Sequence, residues 1–289
     1  MTESDQIRIL KDNIRICSER GEMSLGQRRI CVKQIIDRLL PTDPDQDVDV
    51  SYRAFCRHLP DATAQDRADF FLSYLTRFSK TDALSPERIF FTTDEPADPQ
   101  SRRRIALVKN RYNERAYQRL SPSVTGAMEY HVSSFSEACE EIANLRCEYG
   151  ILPVENTRDG RLFGFYSMLD RYELKICAAT TLEIDDSQGG TRYALIGRSL
   201  PPRIPKNASW NLECSVAIPT GQFPSDLLAV SKEFSAELLK VDSLPVQYDD
   251  QLHRFYFTFR VPKALAVGPH LYGSREHTRY TPIGLYPIL

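Results

Sequence analysis

From Arg104 onward, short apolar runs of strand length alternate with amphipathic runs of helix length, and this alternation restricts the fold more than any other feature. RIALV (104–108) reads as a strand, NERAYQRL (113–120) as a helix, SFSEACEEIANLR (134–146) as a second helix and YGILPV (149–154) as a buried strand. Ser134 followed by Glu137 has the spacing of a capping box. ELKICAATTLEI and TRYALIG read as two further strands. Strands and helices in alternation imply an α/β layer with some parallel pairing. After PPRIPKNAS (201–209), the pattern becomes strand (NLECSVAI), helix (PSDLLAVSKEFSAELL), two strands (LKVDSLPVQY, HRFYFTFRV), a short helical stretch near 262–272 and a last strand (YTPIGLYPIL). That βαββαβ order is a ferredoxin-like split unit.

The segment before residue 80 reads differently. Ile7, Leu10, Ile14 and Cys17 recur on one helical face. Ile30, Ile35, Ile36, Leu39 and Leu40 form a second stripe, broken by PTDPDQD (41–47), and Phe70, Phe71, Tyr74, Leu75 and Phe78 form a third. The polar, proline-bearing run within 81–101 is a linker. The chain is therefore expected to be multidomain, with an all-α N-terminal domain (1–95), an α/β domain (102–200) and an α+β ferredoxin-like domain (207–289).

Composition narrows the function classes. A formal net charge of -2 over 289 residues gives no electrostatic reason for a nucleic-acid partner. Arg102-Arg103-Arg104 reads as a solvated segment between domains. No apolar run approaches the length of a membrane span, and MTESDQIRIL lacks a signal layout. Seven cysteines without a CxxC point to a reduced, cytoplasmic protein. The five histidines show no metal-ligand spacing, so neither a metal nor another cofactor is expected.

Two motifs carry the functional signal. YGILPVENTRDG (149–160) ends a strand in Glu155-Asn156-Thr157, and GGTRYALIG (189–197) opens another with Thr191-Arg192. Together they resemble the E-N-[ST]-x-x-G turn and T-R-[FY] strand of prephenate dehydratase. In that family a whole second lobe separates the two motifs, whereas here Asp185 and Thr191 almost adjoin. The resemblance implies one lobe of a two-lobed enzyme, with nothing left to close over a bound acid. It also implies that Glu155, Asn156, Thr157, Thr191 and Arg192 are remnants of the catalytic site, Thr191 matching the threonine assigned to proton donation. The plainer alternative is a turn and a surface strand cation. The family's Gly-rich opening is replaced by VKNRYNERA, which leaves Tyr112 and Asn113 in place of its glycines and hydroxyls.

The closing YTPIGLYP resembles the V-K-x-L-G-x-Y-P strand of dehydratase ACT domains, modules that bind amino acids. The resemblance puts an effector site at Gln222, Phe223, Asp242 and Ser243, with Gln222-Phe223-Pro224 in place of a G-A-L turn, where Phe223 would crowd a ligand, and Leu244 in place of an arginine. Amino-acid sensing and structural dimerisation are both open. The helical segment resembles the chorismate mutase domain of bifunctional chorismate mutase–prephenate dehydratases, which implies Lys11, Arg28 and Arg38 as carboxylate-binding cations. A solvated basic face is the alternative.

The resemblance implies a paralogue in aromatic amino-acid metabolism that lacks dehydratase activity. It would be a homodimer that binds a ligand or regulates, with chorismate, prephenate or an aromatic amino acid as its ligand and no nucleic-acid or membrane partner. The other reading is a chorismate mutase using the helical domain.

Overall fold

The computed structural model describes residues 3–20, 25–43, 48–79, 84–91, 103–156, 160–183, 189–246 and 249–289. Asp185 and Thr157 lie outside them. Five helices come first: α1 (Glu3–Arg20), α2 (Leu25–Leu39), α3 (Val48–His58), α4 (Ala64–Arg77) and α5 (Pro86–Phe90). Helices α1 and α2 pack on one another, with Arg38 near the end of α2 bonded to Gln6 near the start of α1. A capping box opens α4: Asp66 N–H donates to Thr63 Oγ1 and the Asp66 carboxylate accepts from Thr63 N–H. Helix α5 interrupts the expected linker because Ser85 caps it and Pro86 fits its first turn.

The α/β segment follows as β1 (Arg104–Val108), α6 (Arg111–Leu120), β2 (Met128–Val132), α7 (Phe135–Ala143), β3 (Tyr149–Asn156), β4 (Gly160–Arg161), α8 (Phe163–Arg171), β5 (Lys175–Glu183) and β6 (Gly190–Gly197). The C-terminal segment is β7 (Ser209–Pro219), α9 (Ser225–Glu233), β8 (Glu237–Val246), β9 (Asp249–Val261), α10 (Val267–Glu276) and β10 (Tyr280–Ile288). Its strand order, β10-β7-β9-β8, is that of a ferredoxin-like unit. The helix expected to run to Leu239 stops at Glu233. Ser235 adopts φ 55°, and Glu237–Leu239 join β8 instead.

The two segments share a single sheet, ordered β2-β1-β3-β6-β5-β10-β7-β9-β8. The join is the parallel pairing of β5 with β10, and Gly284 makes it possible. A Cβ there would lie 2.6 Å from the carbonyl oxygen of Ile176, so only glycine lets the strands approach. Leu289 N–H donates to Ala179 O at 2.8 Å, and Thr180 Oγ1 to Leu289 O at 2.7 Å.

One apolar core lies on the face covered by α6, α9 and α10, and it extends outward into the helical region through α4. Polar ties reinforce that contact. Tyr52 donates to Glu276 at 2.5 Å, Arg67 pairs with Glu276, and Arg275 Nε meets Asp49 at 2.5 Å. The second core lies on the opposite face under α7 and α8. Both faces of the lobe's central strands are covered, which explains near-continuous apolar runs such as YGILPV.

Candidate functional site

The register of β3 against β6 sets Glu155 opposite Arg192 and Asn156 opposite Thr191. Two motifs more than thirty residues apart in sequence therefore meet, as the resemblance implies. The pleat then separates them again, because neighbouring residues on a strand point to opposite faces. Arg192 points to the face under α8. Thr191, 9% exposed, lies on the α6 face with Tyr193.

The expectation of an open lobe is overturned on the Arg192 face. Strands β7, β8 and β9 of the ferredoxin-like unit present Glu213, Lys240, Asp242 and Thr258 to it. The β4 strand folds back on β3 and inserts Arg161 between the two units. Arg161 Nη1 pairs with Glu213, its Nε meets Asp242 Oδ2 at 2.5 Å, and its Nη2 donates to Thr258 Oγ1 at 2.7 Å. Tyr166 from α8 donates to Glu213 Oε1 at 2.5 Å, and Tyr286 from β10 to Glu213 Oε2 at 2.6 Å. Arg192 Nη2 stands 3.4 Å from Glu213 Oε2 and 3.6 Å from Glu155 Oε2. Lys240 Nζ donates to Glu155 Oε1 at 2.5 Å.

Arg161 and Glu213 are both fully buried at 0% side-chain exposure. Burial alone would raise the Glu213 carboxyl, but Arg192, Arg161 and the two tyrosine hydroxyls outweigh it and hold it below its ordinary value. Burial likewise pushes the Tyr286 phenol up, and Glu213 adds to the rise against the opposing pull of Arg192. Three cations (Arg161, Arg192, Lys240) face three carboxylates (Glu213, Asp242, Glu155), so the cluster is electrically closed. One donor is left over: the buried Nε of Arg192 has no acceptor among the described residues.

The other half of the expected acid site is filled as well. A helix N-terminus offers free amides to an anion, but on α6 the side chain of Asn110 accepts from Tyr112 N–H at 3.0 Å and Asn113 N–H at 2.8 Å. Asn113 is buried and donates to Val108 O at 2.7 Å.

The remaining expected sites do not assemble. Arg28 pairs with Asp66, the carboxylate of the α4 capping box, while Arg38 is bonded to Gln6 and to Gln34 O. Lys11 lies close enough to His58 to lower its pKa, behind the larger effect of burial. Each of the three cations thus faces a different neighbour. Gln222 and Phe223 are exposed beyond β7, with the Phe223 ring against Phe255. Ser243 pairs with Phe255 on that same face, whereas Asp242 pairs with Tyr256 on the opposite face and belongs to the buried cluster.

Sequence reasoning missed Glu213, Arg161 and Tyr166. Only Glu213 left a trace, as a lone carboxylate inside the apolar run NLECSVAI, where an acid is rarely buried unless paired.

Comparison with known proteins bears on the fold. The prephenate dehydratase family model matches residues 109–194. The fold is similar to that of a prephenate dehydratase from Streptococcus mutans, at 17% identity and a TM-score of 0.52, covering 64% of this chain and 98% of that one. It is equally similar to GqqA, described as a novel type of quorum quenching acylase, at 16% identity and a TM-score of 0.52, covering 65% and 96%. No curated protein matches the chain. Residues 109–194 are thus similar to the prephenate dehydratase family, in a mixed α/β fold like that of both solved structures.

Proposed function

We propose that this chain is a paralogue of the aromatic amino-acid enzymes that has lost dehydratase chemistry and acts as a dimeric ligand-binding or regulatory protein. The observation that carries the reading is the internal neutralisation of Arg192 by Glu213 and Glu155. Loss of water and carboxylate from prephenate needs a dicarboxylate held by free cations in a shielded cleft. Here protein carboxylates take the cation, Asn110 takes the α6 amides, and Thr191 projects away from Arg192. The fold alone leaves the chemistry open, since an acylase shares it.

The C-terminal unit reads as an ACT-like module with a mainly structural role. Its effector-site residues lie on two faces, and its edge strand β8 exposes Leu238, Leu239 and Val241, an apolar strip suited to a second copy. The test is conversion of prephenate to phenylpyruvate by the purified chain, followed through the absorbance of the product. The expected result is no turnover at high protein concentration, and turnover at enzyme-like rates overturns the reading.

A further inference from the structure

A cavity of about 840 Å³ lies against α8. Its floor is the helix-free face of the ferredoxin-like sheet, with Ser215, Tyr256 and Ile283 in view, and its wall is α8 through Tyr166 and Leu169. Nothing in the dehydratase resemblance uses this space, and Glu155, Thr191 and Arg192 do not line it.

Three cations do line it: Lys175 at the start of β5, Arg198 after β6 and Arg254 on β9. Several buried or half-buried cations elsewhere meet carboxylates, as Arg161, Arg192, Arg28 and Lys240 do. These three have no carboxylate at ion-pair distance among the described residues. Lys175 Nζ donates only to the carbonyl oxygen of Pro282, at 2.6 Å, and an ammonium has three donors. Arg254 Nη1 reaches only Ser215 Oγ, at 3.4 Å, of five donors available. Burial lowers the Lys175 pKa, against an opposing pull from Asp170 and Glu173. Those two carboxylates are exposed and also line the cavity, leaving the three cations in excess by one.

The cations bracket the cavity. Lys175 and Arg254 sit on strands three places apart in the sheet (β5-β10-β7-β9) and offset along it, roughly 17 Å apart at the usual strand spacing and rise. Between them the lining is aromatic and aliphatic: Tyr256, Ile283, Leu169, Leu174 and Phe91. A volume in this range suits a ligand larger than one amino acid.

We propose that this cavity is a binding site for an elongated organic dianion, with one carboxylate at Lys175 and Arg198, an apolar or aromatic body on Tyr256 and Ile283, and a second carboxylate at Arg254. It is a site additional to the dehydratase-like cluster, and it stands whether or not that cluster turns over prephenate. Tyr166 belongs to both places, its hydroxyl in the buried cluster and its ring 5.0 Å from that of Tyr256 in the cavity.

The probes are 4-carboxycinnamate, cinnamate and cinnamamide, titrated into the full chain by calorimetry. The dianion should bind with one-to-one stoichiometry and at least tenfold more tightly than cinnamate, and cinnamamide should give no heat. Lys175→Met and Arg254→Gln should each reduce the affinity for the dianion at least tenfold, towards that of cinnamate. Met128→Lys, exposed on β2 and outside the cavity, should leave it unchanged. Arg254 is half-exposed, so Arg254→Gln keeps the test decisive should Lys175→Met fold poorly. Absence of binding at millimolar dianion, equal affinity for cinnamate, or undiminished affinity in Arg254→Gln overturns the proposal.

Discussion

Glu213 is the residue on which the two halves of the sheet agree electrostatically. Removing one partner of a buried ion pair leaves an uncompensated charge, which costs about 3–5 kcal/mol. Glu213→Ala should lose stability of that order in urea unfolding, because Arg161 and Arg192 would be stranded together. Glu213 also sets a pH dependence. Its folded pKa lies below the ordinary 4.5, so its stabilisation is complete above that value and declines as pH falls through the lower folded value. The stability gap between wild type and Glu213→Gln should therefore be constant near neutrality and narrow below about pH 4.5. A gap independent of pH would show that folding leaves the Glu213 pKa unchanged. Arg28 makes a similar case at smaller scale. Its partner Asp66 is 4% exposed and caps α4, so Arg28→Ala should cost about 1–3 kcal/mol in urea unfolding. Local motifs single out Glu155, Asn156, Thr191 and Arg192, of which Glu155 and Arg192 lie in the charged cluster. The sequence concealed Arg161 and Tyr166, whose importance comes from contacts with residues 213 and 258, far along the chain.

Among elements, the join of β5 to β10 is the most exposed to substitution. Gly284→Ala places a methyl group against the Ile176 carbonyl, and overpacking of this kind costs about 1–3 kcal/mol. Hydrogen exchange should locate the damage. The amide of Leu289, bonded to Ala179 O, should lose protection, while amides shared by β3 and β6 keep theirs. Most strands were legible from their apolar runs, including the whole β7-to-β10 series. The exceptions have physical causes. MEYHV in β2 is an edge strand, mostly exposed, so its hydrophobic signal is weak. Ala236-Glu237-Leu238-Leu239 favours helix by propensity, yet pairing with β9 draws it into β8, a case of tertiary context overriding local preference. Helix α8, beginning at Phe163, was missed because no side chain caps its start.

For the whole molecule, the shared sheet predicts joint unfolding of segments that the sequence divides. Trp210, 4% exposed at the start of β7, reports on the ferredoxin-like unit, whereas far-ultraviolet circular dichroism reports on all elements. The two signals should trace one denaturant transition. Separated midpoints would mean that the β5–β10 pairing is too weak to couple the halves. Association is the other property at this scale. With β8 open at the sheet edge, sedimentation should show a dimer that Leu239→Glu shifts towards monomer.

The position of β10 has a consequence for how the protein comes into being. It is the sheet's last strand in chain order, yet it lies between β5 and β7, near the middle. Translation delivers N-terminal segments first, so the flank of β5 waits bare until residues 280–288 arrive. During synthesis that flank is a sticky template for stray strands, and a ribosome stalled before Tyr280 would release a species prone to clumping.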